Sequence, residues 1–167
     1  MQNNMDIQIQ QLCPDDISSA EDLAHIMIAA WRSGFRDILP EDTIEKYTQF
    51  EPCTQMFRQL LASGAGSLLL ARMDSQPVGL LYWLPEEESA RIEALLTVPE
   101  VWGKGVASAL MERALKDASS YKKITVWPFL QNHRARRFYE KHNFSPTGRT
   151  RMGDAPETEY SHFICNL

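Results

Sequence analysis

Three apolar runs, at residues 67–73, 78–84 and 92–98, follow one another with only short polar turns between them. Turns that short can join antiparallel strands, whereas a parallel crossover needs about a dozen residues or more. The middle of the chain is therefore committed to an antiparallel meander, with Asp74-Ser75-Gln76-Pro77 and the acidic stretch 85–89 as its turns. Beyond Pro99 the rhythm changes. Gly103 and Gly105 open a helix with Val106, Leu110, Ala114 and Ala118 along one side. Residues 123–127 read as a strand that Pro128 ends, and Asn132 begins a helix with Ala135, Phe138, Tyr139 and His142 on one face.

Upstream, Ile7 and Ile9 mark a short strand. Ser18-x-x-Glu21 reads as a capping box before the apolar stripe Leu23, Ile26, Met27, Ala30 and Trp31, which Ser33-Gly34 ends. A second helical stretch follows Pro40, breaks near Pro52 and resumes with Met56, Phe57, Leu60 and Leu61. Phe144 and a strand around residues 159–164 complete the chain. The expected fold is a layered α/β domain of the α+β kind, a mixed and mostly antiparallel sheet with helices on both faces. Residues 1–167 read as a single domain, since no repeat or linker interrupts them.

Composition narrows the function. The 17 Lys and Arg against 22 Asp and Glu leave a net charge of −5, which disfavours a phosphate-backbone binder, so no nucleic-acid partner is expected. Cys13, Cys53 and Cys165 are few and far apart, and His25, His133, His142 and His162 lack metal-ligand spacing. Neither a disulfide framework nor a metal site is expected. The apolar runs are too short to cross a bilayer and residues 1–10 lack the apolar stretch of a signal peptide, so a soluble, cytoplasmic protein without a membrane partner is expected.

The segment 99–107 carries the most chemistry. A strand runs into a glycine turn, and the turn into a helix whose first N–H groups lack partners and sit at the positive end of its dipole. Glycines there let the main chain approach an anion closely, and a phosphate or pyrophosphate is the natural ligand. Two common phosphate loops fail. A Walker A loop needs glycine where Val98 stands, and a dinucleotide fingerprint needs Gly or Ala where Ser108 stands.

Trp102-Gly103-Lys104-Gly105-Val106-Ala107 resembles the Gln/Arg-x-x-Gly-x-Gly/Ala signature of the GCN5-related N-acetyltransferase (GNAT) family. Asn132 to Phe144 resembles the family's downstream Asn…Ala…Phe-Tyr…Gly-Phe block. The close resemblance covers residues 90–145, and the first ninety residues fit in element order. Two departures stand out: Trp102 replaces the usual Arg or Gln, and Asn143 replaces Gly at a helix end where Asn also tolerates the left-handed cap.

The resemblance implies acetyl transfer from acetyl-CoA, as co-substrate, to a primary amine of a small molecule or peptide in a ternary complex. The alternative is a non-catalytic acyl-CoA sensor. It further implies that Leu96, Thr97, Val98, Trp102, Gly103, Lys104, Gly105, Val106, Ala107, Ser108, Asn132 and Tyr139 meet coenzyme A. Trp31 and Phe35, between the first two helices, would line the acceptor pocket together with residues 147–158. Dimerisation is common in the family, which makes a homodimer an expectation of the same kind.

The chemistry itself needs a base and an acid. An amine with pKa about 10.4 must lose its proton before attack, and a thiolate of pKa about 8.5 leaves more readily beside a proton donor. Tyr139 is the expected acid; it lies seven residues after Asn132, about 20° short of two full turns, so the two share a face. Glu93 is the expected base, as the only acid in 92–98, on one face with Leu95 and Thr97 among apolar neighbours. An ion pair with Arg91 is its bland reading. For Tyr139 the bland reading is core packing beside Phe138. The turn Glu86-Glu87-Glu88 reads as solvated.

Overall fold

A computed structural model describes residues 6–153 and 158–167. Residues 1–5 and 154–157 lie outside it, the latter within the 147–158 stretch expected beside the acceptor pocket. Seven strands, β1 (Ile7–Leu12), β2 (Ser67–Met73), β3 (Gln76–Pro85), β4 (Ser89–Thr97), β5 (Lys123–Val126), β6 (Ser145–Met152) and β7 (Glu159–Asn166), form one sheet in the order β1-β2-β3-β4-β5-β7-β6. Every neighbouring pair is antiparallel except β4 and β5. Asp74 and Ser75, at φ 50° and 68°, make the two-residue β2–β3 turn, since left-handed turn residues match the strands' twist.

Side chains alternate across this sheet and divide the core in two. Leu68, Leu70 and Leu80 face helices α1 (Ala20–Gly34) and α3 (Phe50–Ser63). Leu69, Ala71 and Leu81 face α4 (Val106–Asp117) and α5 (His133–Lys141) on the other side. Leu69, Leu70 and Leu81 are fully buried, each contributing roughly 2 kcal/mol of hydrophobic burial. Gly79 lets α4 approach β3: a Cβ there would stand 3.1 Å from both Val106 and Leu110. The expected mixed sheet with helices on both faces is what forms.

Local expectations fail in five places. No capping box forms at Ser18–Glu21. A 3-10 turn, Pro14–Ser19, runs directly into α1, so the exposed end lies at Cys13, whose N–H donates to the Asp16 carboxylate at 2.8 Å. That bond holds the Asp16 carboxyl below its ordinary range. The break between α2 (Glu41–Tyr47) and α3 comes at Thr48–Gln49. The Thr48 hydroxyl donates to the Ile44 carbonyl at 2.7 Å while Arg32 takes the Thr48 carbonyl at 3.2 Å, which closes α2. Pro52 falls in the first turn of α3, where its missing N–H costs nothing. Trp31 belongs to α1 itself, and Phe35 is its C-cap.

The fourth is β6, which no periodicity announced. All eight of its side chains are exposed, so nothing in Ser-Pro-Thr-Gly-Arg-Thr-Arg-Met alternates in hydropathy. Pro, Gly and cationic residues of this kind are tolerated on an edge strand, where one side of the ladder stays open. Nor is the acidic turn merely solvated. Arg91 Nε donates to Glu86 at 2.7 Å and Lys122 Nζ to Glu88 at 2.5 Å. The Arg91 bond draws the Glu86 carboxyl below its usual range.

Candidate active site

The site begins where the two parallel strands part. Their pairing runs from Ser89↔Lys123 to Ile92↔Val126 and stops. Beyond it β4 continues to Thr97, while Pro128 ends β5, since proline cannot donate to the ladder. The Val98 N–H donates to Val78 on β3 at 2.9 Å. Strand amides alternate in direction, so Leu96 also points to β3 while Leu95 and Thr97 point into the gap. The Trp102 indole N–H donates to the Thr97 carbonyl at 3.4 Å from that open side.

A cleft of about 920 Å³ occupies the gap. Of the residues named from sequence, Trp31, Phe35, Glu93, Leu96, Thr97, Trp102, Ala107, Asn132 and Tyr139 line it. Val98, Gly103, Lys104, Gly105, Val106 and Ser108 do not line it. Most of these belong to the turn and helix end at its rim. Gly103 and Gly105 adopt φ 77° and 88°, which only glycine takes without strain, and both face open space. The first donation into α4 comes from Ala109 to Gly105, 3.0 Å, so the amides of Val106, Ala107 and Ser108 have no acceptor further back in the helix. Val106 itself is buried, and Ser108 Oγ lies 3.1 Å from His142 Nε2.

Opposite the turn, α5 presents Asn132, Arg134, Ala135, Phe138 and Tyr139 to the cleft. Asn132 caps its helix, its carboxamide oxygen accepting from the Ala135 N–H at 3.1 Å. A hydrogen bond to a ligand would come from the remaining amide nitrogen. Tyr139 is 6% exposed and packs edge-on against Phe138 and Phe144 at 5.5 and 5.4 Å. Burial pushes its phenol well above the ordinary value. Asn143, at φ 68°, takes the left-handed position after α5.

Glu93 is placed differently from its expectation. Tyr82 pairs with Ala94 and Trp83 with Ile92, leaving Glu93 as the extra residue of a β-bulge. The alternation that would group it with Leu95 and Thr97 is interrupted there, and the bulge aims it at the cleft floor. Its carboxylate is not alone among apolar groups either, because Arg91 Nη1 pairs with it.

Sequence reasoning offered Lys122-Lys123 and Arg134 to Arg137 only as cations for the 3′-phosphate of coenzyme A, and it missed the Arg134 stack and the aromatic wall. Arg134 lies over the Trp102 ring, 3.6 Å from its centre, and burial lowers its pKa. The far end of the cleft is an aromatic wall. Trp31 meets Phe35 at 5.2 Å, Phe35 meets Phe129 at 5.1 Å, and Phe129 stacks on Tyr160 at 4.6 Å. Trp127-Pro128-Phe129, aromatics on either side of the proline that stops a strand, was the available signal.

A sheet split between two parallel strands, with a glycine turn at one rim, leaves a long cleft within the sheet itself. The model of the acetyltransferase (GNAT) family matches residues 23–144, and the chain belongs to that family. An uncharacterized N-acetyltransferase of Mycobacterium bovis is 26% identical over 149 residues, 86% of this chain and 96% of that relative. One from Archaeoglobus fulgidus is 27% identical over 142 residues, 80% of this chain and 89% of the relative. The PaiA N-acetyltransferase of Thermoplasma acidophilum, solved in complex with coenzyme A, has the same fold, with a TM-score of 0.80 at 19% identity over 98% of this chain and 100% of that one.

Proposed function

We propose that the chain transfers an acetyl group from acetyl-CoA to a primary amine of a small molecule or peptide, with both substrates bound together. The observation that carries this reading is the gap between β4 and β5, flanked by free amides at one rim and a buried phenol inside. Acetyl-CoA supplies an activated acyl carbon on a sulfur leaving group. The chain's part is to bind, orient and move protons. Amides of Val106, Ala107 and Ser108 would cradle the diphosphate beside the two glycines, and Leu95 and Thr97 would pair with the amide-bearing arm. Tyr139, kept protonated by burial, would donate to the departing sulfur.

Arg134 answers the departure at Trp102. The family's cation is missing from the first motif, and α5 returns one to the same rim, stacked on the indole that took its place. Arg134→Ala should raise the Kd for acetyl-CoA about tenfold, the worth of one charge-assisted contact, while kcat stays within about twofold. Calorimetric titration and steady-state kinetics together check the split.

The Arg91–Glu93 pair holds the carboxylate at the cleft wall, which supports a base that reaches the amine through water. Glu93→Gln should lower kcat about tenfold at pH 7 and by less near pH 9, where more of the amine is neutral unaided. A ratio that stays constant with pH would remove Glu93 from the proton path. The whole reading is tested by thiol release from acetyl-CoA across a broad amine panel. Tight binding of acetyl-CoA without release on any amine would favour a sensor instead.

A further inference from the structure

A second, smaller cavity of about 360 Å³ adjoins the cleft, and the two share Ile92, Glu93, Trp127 and Tyr160 in their walls. Its remaining lining is Arg91, Arg151, Met152 and Gly153. The two arginines differ in state. Arg91 is neutralised by Glu86 and Glu93. Arg151 forms no ion pair among the described residues. Its guanidinium is held by rings, 4.5 Å from the centre of Trp127 and 5.3 Å from that of Tyr160. Such stacking fixes a guanidinium's plane and leaves its in-plane donors unspent.

The rings are themselves held. A Cβ at Gly153 would stand 2.6 Å from Tyr160, so main chain and ring are in direct contact. Trp127 packs on His162 at 4.4 Å. Arg149 adds a second cation 5.6 Å from Trp127. Arg91, Arg149 and Arg151 thus gather here in a chain of net charge −5. Burial, followed by Arg149, Lys123 and Arg151, pushes the His162 imidazole down, as a cationic surrounding should.

We propose that the acceptor carries an anionic group, carboxylate or phosphate, beside its amine, and that Arg151 receives that group in the smaller cavity. This rests on the acetyl-transfer reading above. The amine then reaches the cleft past Glu93, the residue the two cavities share at the bulge. An anion on Arg151 and an ammonium near Glu93 place each acceptor charge opposite its complement. A polyamine would bring only cations to the Arg151 guanidinium instead.

Matched pairs isolate the anion: glycine against glycinamide, β-alanine against β-alaninamide, and O-phosphoethanolamine against ethanolamine. The acid of at least one pair should exceed its neutral partner by about tenfold in kcat/KM, the worth of one ion-paired hydrogen bond. Arg151→Gln should erase that preference through KM, and Arg151→Lys should keep part of it. Which arm responds separates carboxylate from phosphate. Equal use of every pair, a preference for spermidine over every acid, or a preference that survives Arg151→Gln overturns the proposal. If no amine releases thiol, the transfer reading fails by itself. Titration of the same pairs into the coenzyme A-saturated protein still decides the anion site: tighter binding of the acid, lost in Arg151→Gln, upholds it, and equal binding sinks it.

Discussion

Replacing Tyr139 with Phe should lower kcat about 100-fold and leave the Kd for acetyl-CoA within about twofold, the pattern expected of a group that acts on the leaving atom. The substitution removes one oxygen and keeps the ring. The contacts with Phe138, Phe144 and Phe163 therefore persist, and core volume is conserved. A melting temperature close to the parent's would show that lost turnover is not lost fold. The pH profile gives an independent check. Burial raises the phenol above its ordinary value of about 10, so the donor stays protonated through the neutral and mildly alkaline range. The parent's kcat should show no alkaline decline below about pH 10. A limb centred near pH 8, or a Tyr139→Phe variant at full turnover, would assign the proton to another group. The same shift is a stability statement. The neutral phenol's contribution is complete below about pH 10 and falls as pH rises toward the elevated native value.

The largest stability effect is expected at Gly66. Its φ is 71°, a conformation that costs an L-residue roughly 1–2 kcal/mol. A Cβ there would also stand 2.6 Å from the Trp83 carbonyl oxygen, 2.8 Å from the Tyr82 ring and 2.9 Å from Leu84. The nearest of these is sheet backbone, which cannot rotate aside, so β3 must move. Gly66→Ala should destabilise by about 3 kcal/mol in all, strain and overpacking together, and lower Tm by roughly 6–12 °C. Gly34→Ala is the comparison, since nothing lies within 4 Å of a Cβ there and the residue is helical. That change should be neutral or stabilising by about 0.5–1 kcal/mol. Thermal unfolding followed by circular dichroism measures both. Equal Tm values would mean that the β2 entry is not under the constraint described.

What the sequence made legible follows from how each feature is encoded. Leu68 to Ala71 alternate between two buried faces, and the run announces its strand. The glycine turn and the Asn132 cap are local, because neighbouring residues fix their own geometry. Contacts between distant segments are not written locally. Arg134 over Trp102, Phe129 on Tyr160 and the Arg151 stack each join residues that no spacing relates. The bulge at Glu93 was hidden for another reason. It depends on the register of β3, and an extra residue in one strand leaves that strand's own composition unaltered. β6 was illegible because an edge whose side chains all face water has no hydrophobic period to read.

The parting of β4 from β5 leaves a seam in the sheet. Within the sheet, the β1–β4 half meets the β5–β7 half through the four residue pairs from Ser89↔Lys123 to Ile92↔Val126, with the Lys122 N–H donating to the Glu88 carbonyl at their end. A guest lying along Leu95 and Thr97 would stand in for the missing rungs, so occupancy and mechanical integrity become one property. The empty form should open first along that seam, and amide exchange should be fastest at the strand ends that border it.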